Sequence, residues 1–174
     1  MRPLNYKILP PRAAVLPAVL SGILFAAAFP PLSVDITIFF ALVPLHLALF
    51  RNELNRQQAF RVGMLFGLVY FFLLLWWVKA LLPSANATVP WLMIPAMIVL
   101  VFYLSLYPAL YCVLLRCLSG GKRAAAMIIA PSLWTFFEIF RSSGEMGFPW
   151  GILGYGLSSR LFSVQVASYA GVFG

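Results

Sequence analysis

Five apolar runs, broken by short basic clusters, constrain this chain more than any other feature. They cover residues 13–29, 36–50, 62–82, 90–115 and 124–140. A hydrocarbon core of about 30 Å takes roughly 20 helical residues, so runs of this length read as membrane spans. Strands of a membrane barrel would be nearer ten residues and would alternate in polarity; these runs are apolar all round. The second run is short for a span, and a sixth begins near Leu161 and is cut off at Gly174. Charge agrees: 63% of the 174 residues are hydrophobic and only 9% are charged, against about 25% charged in a soluble domain. The expected fold is an all-α membrane protein, a polytopic transmembrane helix bundle with five complete spans and a truncated sixth, forming one membrane unit over 1–174.

The net charge of +8 would suggest nucleic acid in a soluble chain. Here the cations sit between apolar runs and read as topology signals, so nucleic acid is not an expected partner. Arg2, Lys7, Arg12, Arg51, Arg56, Arg61, Arg116, Lys122 and Arg123 fall in the N-terminal segment and the loops on its side; Lys79, Arg141 and Arg160 fall on the other. The nine-to-three bias puts the N-terminus in the cytoplasm and the 141–160 loop outside. The first run, ending in "FAAAFP", also has the look of a signal peptide; its length and the spans that follow favour an uncleaved helix.

Pro17, Pro44, Pro95, Pro108 and Pro131 lie within the runs. Each frees a carbonyl and bends its helix, either as irregular packing or as an opening for a lipid. Cys112 and Cys117, five apart, do not share a helix face well and read as buried, inert thiols. With His46 the single histidine, no metal-ligand spacing and no Ser/His/Asp set exist; no metal and no cofactor is expected. Lys79 beside Trp76 and Trp77 suits an interfacial anchor, and Ser33 and Asp35 suit a helix start.

Glu138 is an ionisable residue near the outer end of the fifth run, with Arg141 three residues on and on the same face. Two readings are open: an ion pair that closes the helix, or an arginine that grips a phospholipid phosphate while Glu138 fixes its guanidinium. "MGFPWGILGYG" follows. Gly144 and Gly147 allow turns, Pro149 pushes Phe148 towards extended backbone, and Phe148, Trp150 and Tyr155 can enter the interface. This is either an aromatic anchor or a lipid contact.

At "APSLWTFFEIFRSSGEMGFPWGILGYG" (130–156) the chain resembles bacterial apolipoprotein N-acyltransferase. "LSGILFAAAFPP", "GLVYFFLLLWWV" and "FYLSLYPALY" are similar to its first, third and fourth helices, in order. The resemblance implies a multi-pass protein of the bacterial inner membrane. Such an enzyme moves an acyl chain from a phospholipid donor to the N-terminal amine of a diacylated lipoprotein acceptor, through a cysteine thioester. It implies a Glu-Lys-Cys triad in a nitrilase-like domain inserted after the seventh helix, which lies beyond the end of this chain. No catalytic residue is therefore carried over. Trp134, Glu138, Arg141, Phe148, Pro149 and Trp150 match as substrate-side, lipid-binding candidates. The expected product is a membrane portion that is not catalytic alone, or else a subunit that works with a separately encoded nitrilase-like chain. A small transporter is the remaining alternative, opposed by sparse intramembrane charge and the lack of an internal repeat.

Overall fold

A computed structural model describes residues 10–51, 54–81, 90–158, 160, 165, 167–169 and 171–173, with the side chains of 79–81 and 90 outside the description. All regular structure among these residues is helical. The α-helices are α1 (Arg12–Ala27), α2 (Val43–Arg51), α3 (Arg56–Leu74), α4 (Met93–Leu118) and α5 (Arg123–Ser142). Short 3-10 helices stand at Asp35–Phe39, Trp76–Leu81, Pro90–Leu92 and Leu153–Leu157. The chain spanning Arg56–Val78, together with α4 and α5, is long and apolar enough to cross a membrane; α1 is a shorter apolar helix. The sixth run falls largely outside the described residues, although Gln165 and residues 167–169 are helical.

Close approach of α3 and α4 organises the bundle. Gly63 and Gly67 on α3 face Ser105, Pro108 and Ala109 on α4, where an added Cβ at Gly63 would lie 2.8 Å from Ala109 Cα and one at Gly67 2.8 Å from Ser105 Cα. Two small residues one turn apart thus let the backbones touch, the means by which helices associate where lipid removes the hydrophobic drive. Pro108 is tolerated inside α4 because its ring packs into the notch left by Gly67. α3 begins well before its apolar run, at a reciprocal cap: Asn55 Oδ1 accepts from Gln58 N at 2.8 Å and Gln58 Oε1 from Asn55 N at 3.1 Å.

α1 packs parallel to α3, since Gly22 abuts Phe66 and Val69 and the Phe25 ring lies 4.5 Å from that of Tyr70. The intervening chain must therefore return from one end of the bundle to the other. It does so without a continuous span: the expected 36–50 helix divides into the Asp35–Phe39 turn and the nine-residue α2, which at 1.5 Å per residue extends only about 14 Å. Ser21 Oγ donates to the carbonyl of Ala41 in the break, satisfying a backbone oxygen that a continuous helix would have used itself. Pro44 stands in the first turn of α2 and Pro95 in that of α4, where the missing N–H is no loss; only Pro17, Pro108 and Pro131 lie inside helices.

Candidate functional site

The loop after α5 is held by a polar clamp built from two helices. Arg141, in the last turn of α5 and only 4% exposed, aims its guanidinium at the loop backbone. Its Nη1 donates to the carbonyls of Phe148 and Trp150, both at 2.7 Å, and its Nη2 to that of Gly151 at 3.3 Å. Tyr70, from α3, donates its hydroxyl to the same Gly151 carbonyl at 2.6 Å. Glu138, one turn before Arg141 and 6% exposed, accepts from the N–H of Leu153 at 2.7 Å. The Phe71 ring lies under the guanidinium, 5.4 Å from Cζ.

Glu138 and Arg141 do not close the helix as an ion pair. Among the described residues no ion pair joins them; the acid takes a loop N–H and the base takes loop carbonyls. The reason is local. "FPWG" turns its carbonyls inward, and a planar cation with five donors is the side chain best able to satisfy several convergent oxygens at once. A buried carbonyl left unpaired costs about 1–3 kcal/mol.

Gly151 lets the clamp close. Its φ is +71°, and a Cβ there would collide with the Tyr70 hydroxyl. Neither Tyr70 nor Gly151 is singled out by the sequence, because their partnership spans 81 residues. Gly144 has the positive φ (+79°) expected of a turn, and Phe148 N donates to Arg141 O at 2.8 Å to close the loop on the helix end.

The aromatics divide. Phe148 is half-buried, while Pro149 and Trp150 are exposed. The Trp150 ring packs 4.9 Å from Trp77 and 5.8 Å from Phe148, a cluster at the C-terminal ends of α3 and α5. Trp134, one turn before Glu138, sits in an aromatic nest with Phe25, Phe66 and Tyr111, and its buried indole Nε1 is directed at the Glu138 carboxylate without a well-formed hydrogen bond among the described residues. Trp134 and Glu138 line a groove of ≈ 980 Å³ beside α5, with His46, Tyr111, Ser132 and Thr135 as its other polar residues. His46 Nε2 is bonded to the Tyr111 hydroxyl at 2.7 Å, a side-chain partner from α4.

Cys112 is buried, as expected, but Cys117 is exposed: five residues on, it lies on another face of α4 and misses the packing against Gly63 that covers Cys112. Among the described residues no group of His, Cys, Asp or Glu could hold a metal. The Lys79 side chain lies outside the described residues. Asp35 pairs with Arg160 at 2.8 Å, tying the turn before α2 to the far end of the loop.

The family model for the apolipoprotein N-acyltransferase N-terminal domain matches residues 21–174. An apolipoprotein N-acyltransferase of Geobacter metallireducens is 36% identical over 166 residues, which is 94% of this chain and 31% of that protein. Those of Gloeobacter violaceus and Aquifex aeolicus are each 34% identical, over 91% and 82% of this chain and 31% and 30% of their own lengths. The chain thus spans less than a third of these relatives.

Proposed function

Since the chain belongs to the apolipoprotein N-acyltransferase family, in the region of its N-terminal domain, we propose that it is the membrane platform of lipoprotein N-acylation. In this reading, a phospholipid donates an acyl chain to the N-terminal amine of a diacylglyceryl-cysteine lipoprotein, and 1–174 supplies the lipid-facing part of the site. In the same reading chain 1–174 alone does not turn over, as among the described residues no nucleophile is set beside a base. The observation that carries the reading is the clamp. Five hydrogen bonds between the loop backbone and Arg141, Tyr70 and Glu138 fix a loop whose exposed tip is Pro149 and Trp150. A loop merely anchored by its aromatics would not need buried charges to set its backbone; a loop that must present a surface does.

Roles follow from geometry. Arg141 and Glu138 are positioning residues, Trp134 walls the groove at Glu138, and Phe148, Pro149 and Trp150 form the surface a phospholipid meets. The basic helix ends face the cytoplasm and the loop faces outward, in a bacterial inner membrane. α1, at 16 residues about 24 Å long, crosses as an untilted helix, and 28–51 crosses as the broken segment.

A photoactivatable phospholipid tests this. In vesicles, crosslinks are expected to concentrate on 148–155, and Trp150→Ala is expected to remove most of them with the fold intact. Crosslinks spread evenly over the exposed faces of α4 and α5 would refute the lipid-contact role. Lysophospholipid released by purified 1–174 in the presence of diacylated lipoprotein would refute the claim that it lacks the chemistry.

A further inference from the structure

We propose that the helix ends flanking the α2–α3 and α4–α5 turns, through Arg51, Arg56, Lys122 and Arg123, form a binding site for the headgroup of an anionic phospholipid, at the end of the bundle opposite the clamp. The turns are far apart in sequence but adjoin in space. Arg116, in the last turn of α4, donates from Nε to the carbonyl of Leu54 at 3.0 Å across 62 residues. Its guanidinium passes over the Phe50 ring at 5.7 Å and under the α4–α5 turn, where Nη1 lies 2.9 Å from the position of a Cβ on Gly121. One half-buried arginine therefore joins both turns and leaves their other cations outside.

Arg51, Arg56, Lys122 and Arg123 are all exposed around it. Arg61 stands farther along α3, and Arg12 starts α1, which runs parallel to α3. Against these seven cations the sequence has one carboxylate between α2 and α3, Glu53, which lies outside the described residues; Asp35, Glu138 and Glu145 belong to the other end. No ion pair engages the exposed four among the described residues. A concentration of like charge this close is self-repulsive, and the helix ends that hold it gain from an anionic counterpart.

The neighbouring surface identifies that counterpart as lipid. Leu118, Met127 and Ile128 adjoin the cations and are 60%, 76% and 79% exposed. The surface changes from apolar to cationic within about one helical turn, as does a lipid between its acyl chains and its phosphate. A soluble acidic protein or a nucleic acid would leave the apolar half unmatched. Basic pockets between helix ends at a membrane surface recognise anionic headgroups, with each cation changing affinity roughly fivefold.

Native mass spectrometry of the purified chain in neutral detergent tests this site independently of the acyl-transfer reading. With phosphatidylglycerol and phosphatidylcholine of identical chains, preferential retention of phosphatidylglycerol is expected. The triple variant Arg56→Gln, Lys122→Gln, Arg123→Gln is expected to lower that retention about 100-fold and to leave phosphatidylcholine unchanged, while Arg160→Gln, at the other end, changes neither. Protection of the buried Cys112 thiol reports the fold; if the triple variant loses it, Lys122→Gln alone carries the test, with roughly a fivefold loss expected. Equal retention of both lipids, unchanged retention by the neutralised variant, an equal loss in Arg160→Gln, or displacement by millimolar inorganic phosphate would each overturn the proposal.

Discussion

Replacing Arg141 by alanine should open the loop without unfolding the bundle. The guanidinium serves three carbonyls. That of Gly151 keeps the Tyr70 hydroxyl, whereas those of Phe148 and Trp150 lose their side-chain donor. Two carbonyls left unpaired in a buried setting would cost about 2–6 kcal/mol. Water at the helix ends relieves part of this once the loop lifts, so the system takes the cheaper route of local opening. A loss of about 3 kcal/mol corresponds to a roughly 100-fold fall in protection. Hydrogen exchange in nanodiscs should show it at the Leu153 amide, which Glu138 holds in the closed loop. The amides of α3 and α4 should exchange as before, and Cys112 should stay unreactive. Arg141→Lys should recover only part of the protection, because an ammonium cannot span carbonyls that a planar fork reaches together. Two results would refute the reasoning. Unchanged exchange at Leu153 would mean the clamp does not hold the loop. Loss of Cys112 protection together with the loop would mean that Arg141 supports the whole fold and that loop position cannot be separated from it.

Gly151→Ala should lower thermal stability by about 2 kcal/mol or more, from a positive φ unsuited to an L-residue and a Cβ driven into the Tyr70 hydroxyl; adding Tyr70→Phe should restore part of the loss, a non-additivity that a double-mutant cycle in thermal melts would read. Glu138→Gln preserves an acceptor for the Leu153 N–H and should shift loop exchange by less than tenfold, while Glu138→Leu should shift it by at least that much; equal effects would show that the charge matters rather than the hydrogen bond. Cys117 should label with a maleimide in detergent without denaturant and Cys112 only on unfolding, since one is exposed and the other buried; equal rates would contradict the packing of α4 on α3. Arg160→Ala should alter stability by at most about 1 kcal/mol, because its pairing with Asp35 is solvent-exposed on the arginine side.

Much of the architecture is legible in one dimension. The apolar runs at 90–115 and 124–140 correspond to helices that differ at their ends by a few residues, and that at 62–82 to α3 continued by the 3-10 helix Trp76–Leu81, because lipid-facing helices need length and apolarity whatever they pack against. α3 starts earlier than its apolar run for a local reason that is also readable, the Asn55 and Gln58 cap. The 36–50 run is where reading by apolarity fails. Its residues are as apolar as a span, yet the helix breaks near Ala41, since Ser21 of α1 supplies a donor to the free carbonyl there. A donor 20 residues away cannot be weighed from composition.

The site divides along the same line. Glu138 and Arg141 stand out in sequence, because ionisable residues in an apolar helix are rare and need a partner. Which partner each takes is not written in their spacing. Three residues apart on a helix, they are placed to meet each other, yet each turns to the backbone of 148–153. Tyr70 and Gly151 carry no such mark: a tyrosine in an aromatic-rich helix and one glycine among five in a loop are ordinary until they are opposed. The sequence by itself determined that this chain forms apolar helices, which end of them is basic, and which charges must find partners. Only the tertiary structure decided what those partners are, because hydrogen-bond satisfaction depends on which backbone oxygens the fold brings within about 3 Å of Arg141 and Tyr70.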